Sequence, residues 1–165
     1  LQHHPNQKIE ALARAASANL PQLQCALEQG YVPPPEGTLS APQQAALFRL
    51  VQQLCDEGHF LQAAPLALQL AVHHPKDSRY SFIAGRAFQR LAIFNIAAVL
   101  YGLSLQQNRT PTSMYRLGEC MAGLGQPETA IRFFDGAFDI ARGDDSFRHV
   151  QDLAMQAIER LRSTT

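Results

Sequence analysis

The sequence predicts an all-α chain: three helical hairpins stacked as a short superhelix, with a helical arm before them and a capping helix after them. Three observations carry this expectation. Apolar residues recur at spacings of three and four along most of the chain. Turn signals such as Gly58, Pro75, Gly125 and Gly143 fall between these stretches, while Pro21 interrupts one of them. Residue types also agree at an interval of 33 to 34 positions, an internal repeat the length of one helical hairpin.

The elements follow in order. Residues 1–7 are a polar opening. Over 8–28, Ile9, Leu12, Ala16, Leu20, Leu23 and Leu27 form an apolar stripe that Pro21 interrupts. This stretch is either one kinked helix or two short ones, with Asn19 placed to cap the second. Residues 30–42 hold Pro33, Pro34, Pro35 and Gly37 and end in the helix-start signal Ser40-Ala41-Pro42, so they read as a linker that is stiff over its prolines. The chain thus divides into an arm with its linker, 1–42, and a repeat domain, 43–165. Helices are predicted over 43–57 and 60–73, turning at Gly58 and stopping near Pro75. A second pair covers 78–91 and 94–107, and a third 112–124 and 127–141. A final helix over 145–161 gathers Phe147, Val150, Leu153, Ala154, Ala157, Ile158 and Leu161 on one side, as a lid for the end of the stack requires. Asp144 and Asp145, after Gly143, are placed to cap it.

The repeat is specific at several offsets. Ala63, Ala97 and Ala130 are equivalent, as are Ala67, Tyr101 and Phe134 four residues on. In the preceding helices Val51, Gly85 and Gly118 share one position, and Leu54, Phe88 and Met121 another. Small residues let crossing helices approach, and large ones fill the space between them. Gly58, Gly123 and Gly125 supply turn conformations closed to most residues. The period matches the tetratricopeptide repeat, whose stacked hairpins leave a curved face lined by the first helix of each pair.

Composition narrows the function. Fourteen basic residues balance fourteen acidic ones, so the net positive field that accompanies nucleic-acid binding is missing. Cys25, Cys55 and Cys120 are far apart and odd in number, which argues against a disulfide framework and for a reducing compartment, most simply the cytoplasm. No apolar run reaches the roughly 20 residues of a membrane span, and the first residues carry no basic-led secretory signal. His3-His4 and His73-His74 are adjacent pairs whose side chains diverge, without the spacings of a zinc site, so no metal or other cofactor is expected. No phosphate-binding loop, nucleophile elbow or paired acidic motif is present, and no catalytic residue is assigned.

At the repeat residues the chain resembles the tetratricopeptide family. Over 47–141, or 95 of 165 residues, it is similar more particularly to the type III secretion chaperones of hydrophobic translocator proteins. The resemblance rests on Leu50, Phe60 and Ala63 in the first repeat, then Asp77-Ser78-Arg79-Tyr80 and Gly85 in the second. Tyr115-Arg116-Leu117-Gly118-Glu119-Cys120, with Gly125 and Ala130, carries it in the third. It implies a bacterial cytoplasmic chaperone that hydrolyses no nucleotide and keeps translocators soluble by binding an extended segment near their amino termini, commonly patterned proline-x-leucine-x-x-proline. It also implies homodimerisation through the amino-terminal region. For Leu12, Leu20, Leu23 and Leu27 two readings stand: a dimer interface, or a cap on the chain's own repeats. Pro33, Pro34 and Pro35 are either a plain linker or a peptide-like ligand for a neighbouring groove.

The repeat register proposes the groove. First-helix residues facing away from the second helix are Phe48, Gln52 and Cys55, then Phe82, Arg86 and Gln89, then Tyr115, Glu119 and Ala122. The three aromatics either pack in the core or form groove walls; their shared phase, distinct from the packing phase, favours walls. Gln52, Gln89 and Arg86 suit hydrogen bonding to an extended backbone. Gln52 and Cys55 stand where the resembled family would place further aromatics. Arg86 is the only basic side chain of the nine, which favours apolar pockets over a carboxylate clamp.

Overall fold

The computed structural model describes residues 5–29 and 37–164, and the expectations for His3, His4, Pro33, Pro34 and Pro35 lie outside these residues. Every regular element among the described residues is a helix. The arm forms α1 (Pro5–Ser17) and α2 (Leu20–Gln29). Two short helices are therefore the outcome. The Asn19 carbonyl accepts the Leu23 N–H at 3.1 Å, and Pro21 falls in the first turn of α2, where a missing N–H leaves no bond unmade.

Three hairpins follow: α3 (Ala41–Asp56) with α4 (Phe60–His73), α5 (Ser78–Arg90) with α6 (Phe94–Gln107), and α7 (Pro111–Gly123) with α8 (Pro127–Ala141). Each first helix has a side-chain cap. Ser40 and Gln43 form a reciprocal capping box on α3, which starts two residues before the predicted 43 because Ala41 and Pro42 occupy its first turn. Asp77 accepts the Arg79 N–H on α5, and Thr110 accepts the Ser113 N–H on α7. The predicted closing helix divides into a 3-10 turn, Asp145–Phe147, capped by Asp144, and α9 (Arg148–Ser163).

The hairpin turns repeat bond for bond. His59 donates to the Leu54 carbonyl, Ile93 to Phe88 and Gln126 to Met121, at 2.8, 2.9 and 2.9 Å. This closure needs a residue with positive φ just before the donor. Gly58 (φ 79°) and Gly125 (φ 74°) supply it in the first and third turns, but the second uses Ala92 at φ 59°. Gly123 plays a different part from the one predicted. It ends α7, and a Cβ there would lie 2.7 Å from the Phe94 ring, so its smallness admits an aromatic from the previous hairpin.

Volume complementarity holds each pair together. A Cβ on Gly85 would stand 2.9 Å from the Tyr101 ring, and one on Gly118 2.7 Å from Phe134. The equivalent residues of the first hairpin, Val51 and Ala67, reverse the allocation, with the larger residue on the first helix and the small one on the second; both are fully buried. Ala63, Ala97 and Ala130 are also fully buried.

The arm folds back on the repeats. α1 packs on α4 and α2 on α6, and Ala16, Leu23 and Ala26 join the same buried core as the first two hairpins. Leu23 is 1% exposed, Leu12, Leu20 and Leu27 pack against that core, and Leu27 reaches 3.5 Å from the Cβ position of Gly102. Leu23 is thus taken up within its own chain, while Leu12, Leu20 and Leu27 stay partly exposed. The dimer-interface assignment fails for Leu23, because a side chain already removed from water has no surface to offer a second copy. At the other end α9 covers α7 and α8, burying Val150, Ala154, Ala157 and Ile158 around Met114, Tyr115 and Phe134.

Two stability measurements check this packing. In chemical denaturation Ala92→Gly is expected to stabilise by about 0.5–1 kcal/mol by relieving a left-handed alanine, whereas Gly58→Ala and Gly125→Ala destabilise by about 1 kcal/mol. Gly118→Val and Phe134→Ala are each expected to destabilise by at least about 1 kcal/mol, while the double variant, which restores the allocation of the first hairpin, loses less than their sum.

Candidate functional site

The concave face holds a groove of ≈ 690 Å³ between α3, α5, the start of α7 and the 3-10 turn. Three aromatic side chains, Phe48, Phe82 and Phe147, line it with Gln52, Arg86 and Ile83. The sequence register thus brings Phe48, Gln52, Phe82 and Arg86 together. Sequence periodicity places Phe147 only on the apolar side of the lid. Its place in the groove depends on the 3-10 turn, a tertiary detail with no periodic signature.

Polar residues form the rest of the lining. The Ser104 hydroxyl donates to the Ser78 carbonyl at 3.0 Å and lies 3.5 Å from the Ser113 hydroxyl, which itself accepts from Thr110 at 2.9 Å. These buried hydroxyls satisfy one another across the joint of α5, α6 and α7. Asn108, Thr110 and Thr112 complete this side and offer polar groups beside the aromatic walls.

The Phe48 wall is built as a stack. Its ring lies 5.2 Å from Tyr80, and Tyr80 meets His74 edge-on at 6.0 Å. The Arg79 guanidinium covers Phe48 at 5.3 Å and Tyr80 at 5.5 Å, as cations do over aromatic faces. Asp77 holds it there through two bonds, from Nε at 3.1 Å and from Nη2 at 2.8 Å. These bonds hold the Asp77 carboxyl below its ordinary range, against the opposing effect of burial. Burial, reinforced by His73, pushes the His74 imidazole down.

The other five predicted groove residues take other parts. Cys55 is 2% exposed and belongs to the core, where burial pushes its thiol up; helical phase alone does not distinguish it from the surface position of Gln52 one turn earlier. The Gln89 amide is engaged on both sides, its Oε1 accepting from the Tyr101 hydroxyl at 2.7 Å and its Nε2 donating to Glu119 at 3.1 Å. Tyr101 is fully buried, so its hydroxyl needs this partner, and burial raises the phenol's pKa. Tyr115, 6% exposed, tilts against Phe134 at 5.4 Å. It borders a smaller pocket of ≈ 220 Å³ with Glu119, Ala122 and α9 rather than the main groove.

The cysteines are all free; Cys25 is partly exposed, and burial pushes the Cys120 thiol up to about 12, which suits packing rather than nucleophilic chemistry. Among the described residues no group of three or more His, Cys, Asp or Glu side chains is placed to hold a metal ion, and no helix is long and apolar enough to cross a membrane.

Fold and groove together define a helical-repeat protein of the tetratricopeptide type with an aromatic-walled concave face. No protein-family model matches the sequence, and no curated protein is significantly similar to it. Solved structures do share the fold, among them type III secretion chaperones. A type III secretion complex from Aeromonas hydrophila aligns at TM-score 0.73 and 20% identity over 87% of this chain and 97% of that one. The Yersinia enterocolitica chaperone SycD, in complex with a peptide of the translocator YopD, aligns at 0.71 and 17% over 76% and 96%. PcrH from Pseudomonas aeruginosa, in complex with the chaperone-binding region of PopD, aligns at 0.71 and 20% over 76% and 96%.

Removing the Asp77 cap tests the Phe48 wall. At pH 7, Asp77→Ala is expected to lose about 1 kcal/mol of stability, chiefly through the cap, since the exposed Arg79 pair is screened by solvent. Because the folded-state pKa is depressed, this stabilisation is complete above the ordinary value of 3.8 and disappears as pH falls through the depressed value. Denaturation curves of the two proteins should therefore differ at pH 7 and converge in acid.

Proposed function

We propose that this protein is a bacterial cytoplasmic chaperone for hydrophobic translocator proteins of a type III secretion system, holding an extended segment of its client in the concave groove before export. The observation that carries this reading is the convergence of Phe48, Phe82 and Phe147 around one open groove with polar hydroxyl and amide groups beside them. Aromatic walls of this kind take up leucine and proline side chains, while polar lining groups can pair with an extended backbone that no secondary structure satisfies. Chaperones of the same fold have been solved with segments of the translocators YopD, PopD and PopB, which supports the choice of client class.

The mechanism needs no catalysis. Occupying the groove covers apolar side chains of the client and delays its self-association and its insertion into membranes. Ordering the extended segment opposes part of the contact energy, so the complex stays reversible and the client can be released.

Fluorescence anisotropy with a labelled proline-x-leucine-x-x-proline peptide, against a scrambled control, tests the reading. The patterned peptide is expected to bind saturably in the micromolar range, roughly −8 to −5 kcal/mol. Phe48→Ala, Phe82→Ala and Phe147→Ala, each shown to be folded by its thermal melt, should weaken binding about tenfold or more. Equal affinity for the scrambled peptide, or none for either, would turn the reading toward a scaffold of folded proteins.

A further inference from the structure

The concave face continues beyond the aromatic groove. Arg86 borders both that groove and a middle cavity of ≈ 500 Å³, and Glu119 borders both the middle cavity and the ≈ 220 Å³ end pocket. Each end of this run presents aromatic walls, Phe48, Phe82 and Phe147 at one and Tyr115 and Phe134 at the other, where Arg160 and Glu119 also border the pocket. Between them the lining changes. Arg86, Arg90 and Arg116 border the middle cavity with one carboxylate, Glu119, beside Gln89 and the Phe94 ring.

The partners of these groups decide how much charge is left. Arg116 donates to Glu119 at 2.8 Å, and the same carboxylate oxygen accepts from Gln89, so one guanidinium is neutralised within the cavity. Arg86 reaches only 3.8 Å from Asp56, a loose pair whose aspartate side chain is 74% exposed. Arg90 lies 4.9 Å over the Phe60 ring, and among the described residues no carboxylate pairs with it. The chain as a whole is neutral, so this is a local cationic stretch between two aromatic-walled pockets.

We propose that the client segment carries an acidic side chain between two apolar anchors, and that Arg86 and Arg90 select it. The proposal rests on the concave face being the client site. A carboxylate entering the middle cavity meets guanidiniums that it can engage through two parallel hydrogen bonds, and it relieves the repulsion between them. A lysine at that place would meet like charge, so the cavity discriminates by repulsion as well as attraction.

The test uses patterned peptides blocked at both termini, so that no terminal carboxylate takes part, with one Glu, Gln or Lys moved stepwise through the residues flanking the leucine. At one or more positions the wild-type protein is expected to bind the Glu peptide about three- to tenfold more tightly than the Gln peptide, and the Lys peptide more weakly than either. The Glu-to-Gln ratio should shrink in roughly 0.5 M salt and collapse toward one in the Arg86→Gln, Arg90→Gln double variant, but persist in Arg132→Gln, on the exposed side of α8. Equal affinity for all three peptides at every position overturns the acidic preference and leaves the groove reading intact. A ratio that survives in the double variant overturns the role of the middle cavity. Absence of binding by every peptide overturns the groove reading and this proposal with it.

Discussion

Where Gly85 and Gly118 present bare backbone, the rings of Tyr101 and Phe134 lie against it, closer than any side chain would permit. The polar link between the second and third hairpins rests on this approach. Drawn onto α5, Tyr101 donates its buried hydroxyl to Gln89, and Gln89 then bridges to Glu119 on the next hairpin. The same contact that closes one hairpin therefore also ties it to its neighbour. The first hairpin buries Val51 and Ala67 completely at the same positions, so what recurs is a larger residue set against a small one rather than the identity of either.

The ends of the stack meet the general need of a repeat array for terminal cover in two ways. α9 lies over α7 and α8 and builds its own cluster around Tyr115 and Phe134. The arm instead lies along the second helices, α4 and α6, and leaves the concave face open. Both ends serve the groove, since the arm keeps clear of it and the 3-10 turn before α9 contributes Phe147 to its lining.

The groove was legible in the sequence as far as helical phase reaches. Phe48, Gln52, Phe82 and Arg86 sit on surface-directed positions of α3 and α5, and phase found them. Cys55 lies one turn beyond Gln52, yet it is buried. Gln89 has the right phase as well, but a buried hydroxyl from another helix claims it. Arg90 and Arg116 lie off the stripe that phase defines, since the middle cavity is bordered by side chains from the edges of α5 and α7 and by Phe94 of α6. Arg79 did carry a signal, the Asp77-x-Arg79 spacing at a helix start, which allows the capping carboxylate also to hold the guanidinium.

The sequence by itself determined the helices, the order of the hairpins and the repeat, because these follow from local periodicity, turn residues and caps that act within a few positions of one another. It also determined that Ala63, Ala97 and Ala130 would be buried, since the same small residue at one phase of three hairpins answers one packing need. Only the tertiary structure decided that Leu23 of the arm is buried in its own chain, that Gly123 yields space to Phe94, and that the groove's third aromatic is Phe147 instead of Tyr115. Each of these depends on which surfaces meet at long range. A stripe of leucines has the same pattern whether it covers its own chain or another, and volume and exposure are properties of the assembled helices rather than of any one of them.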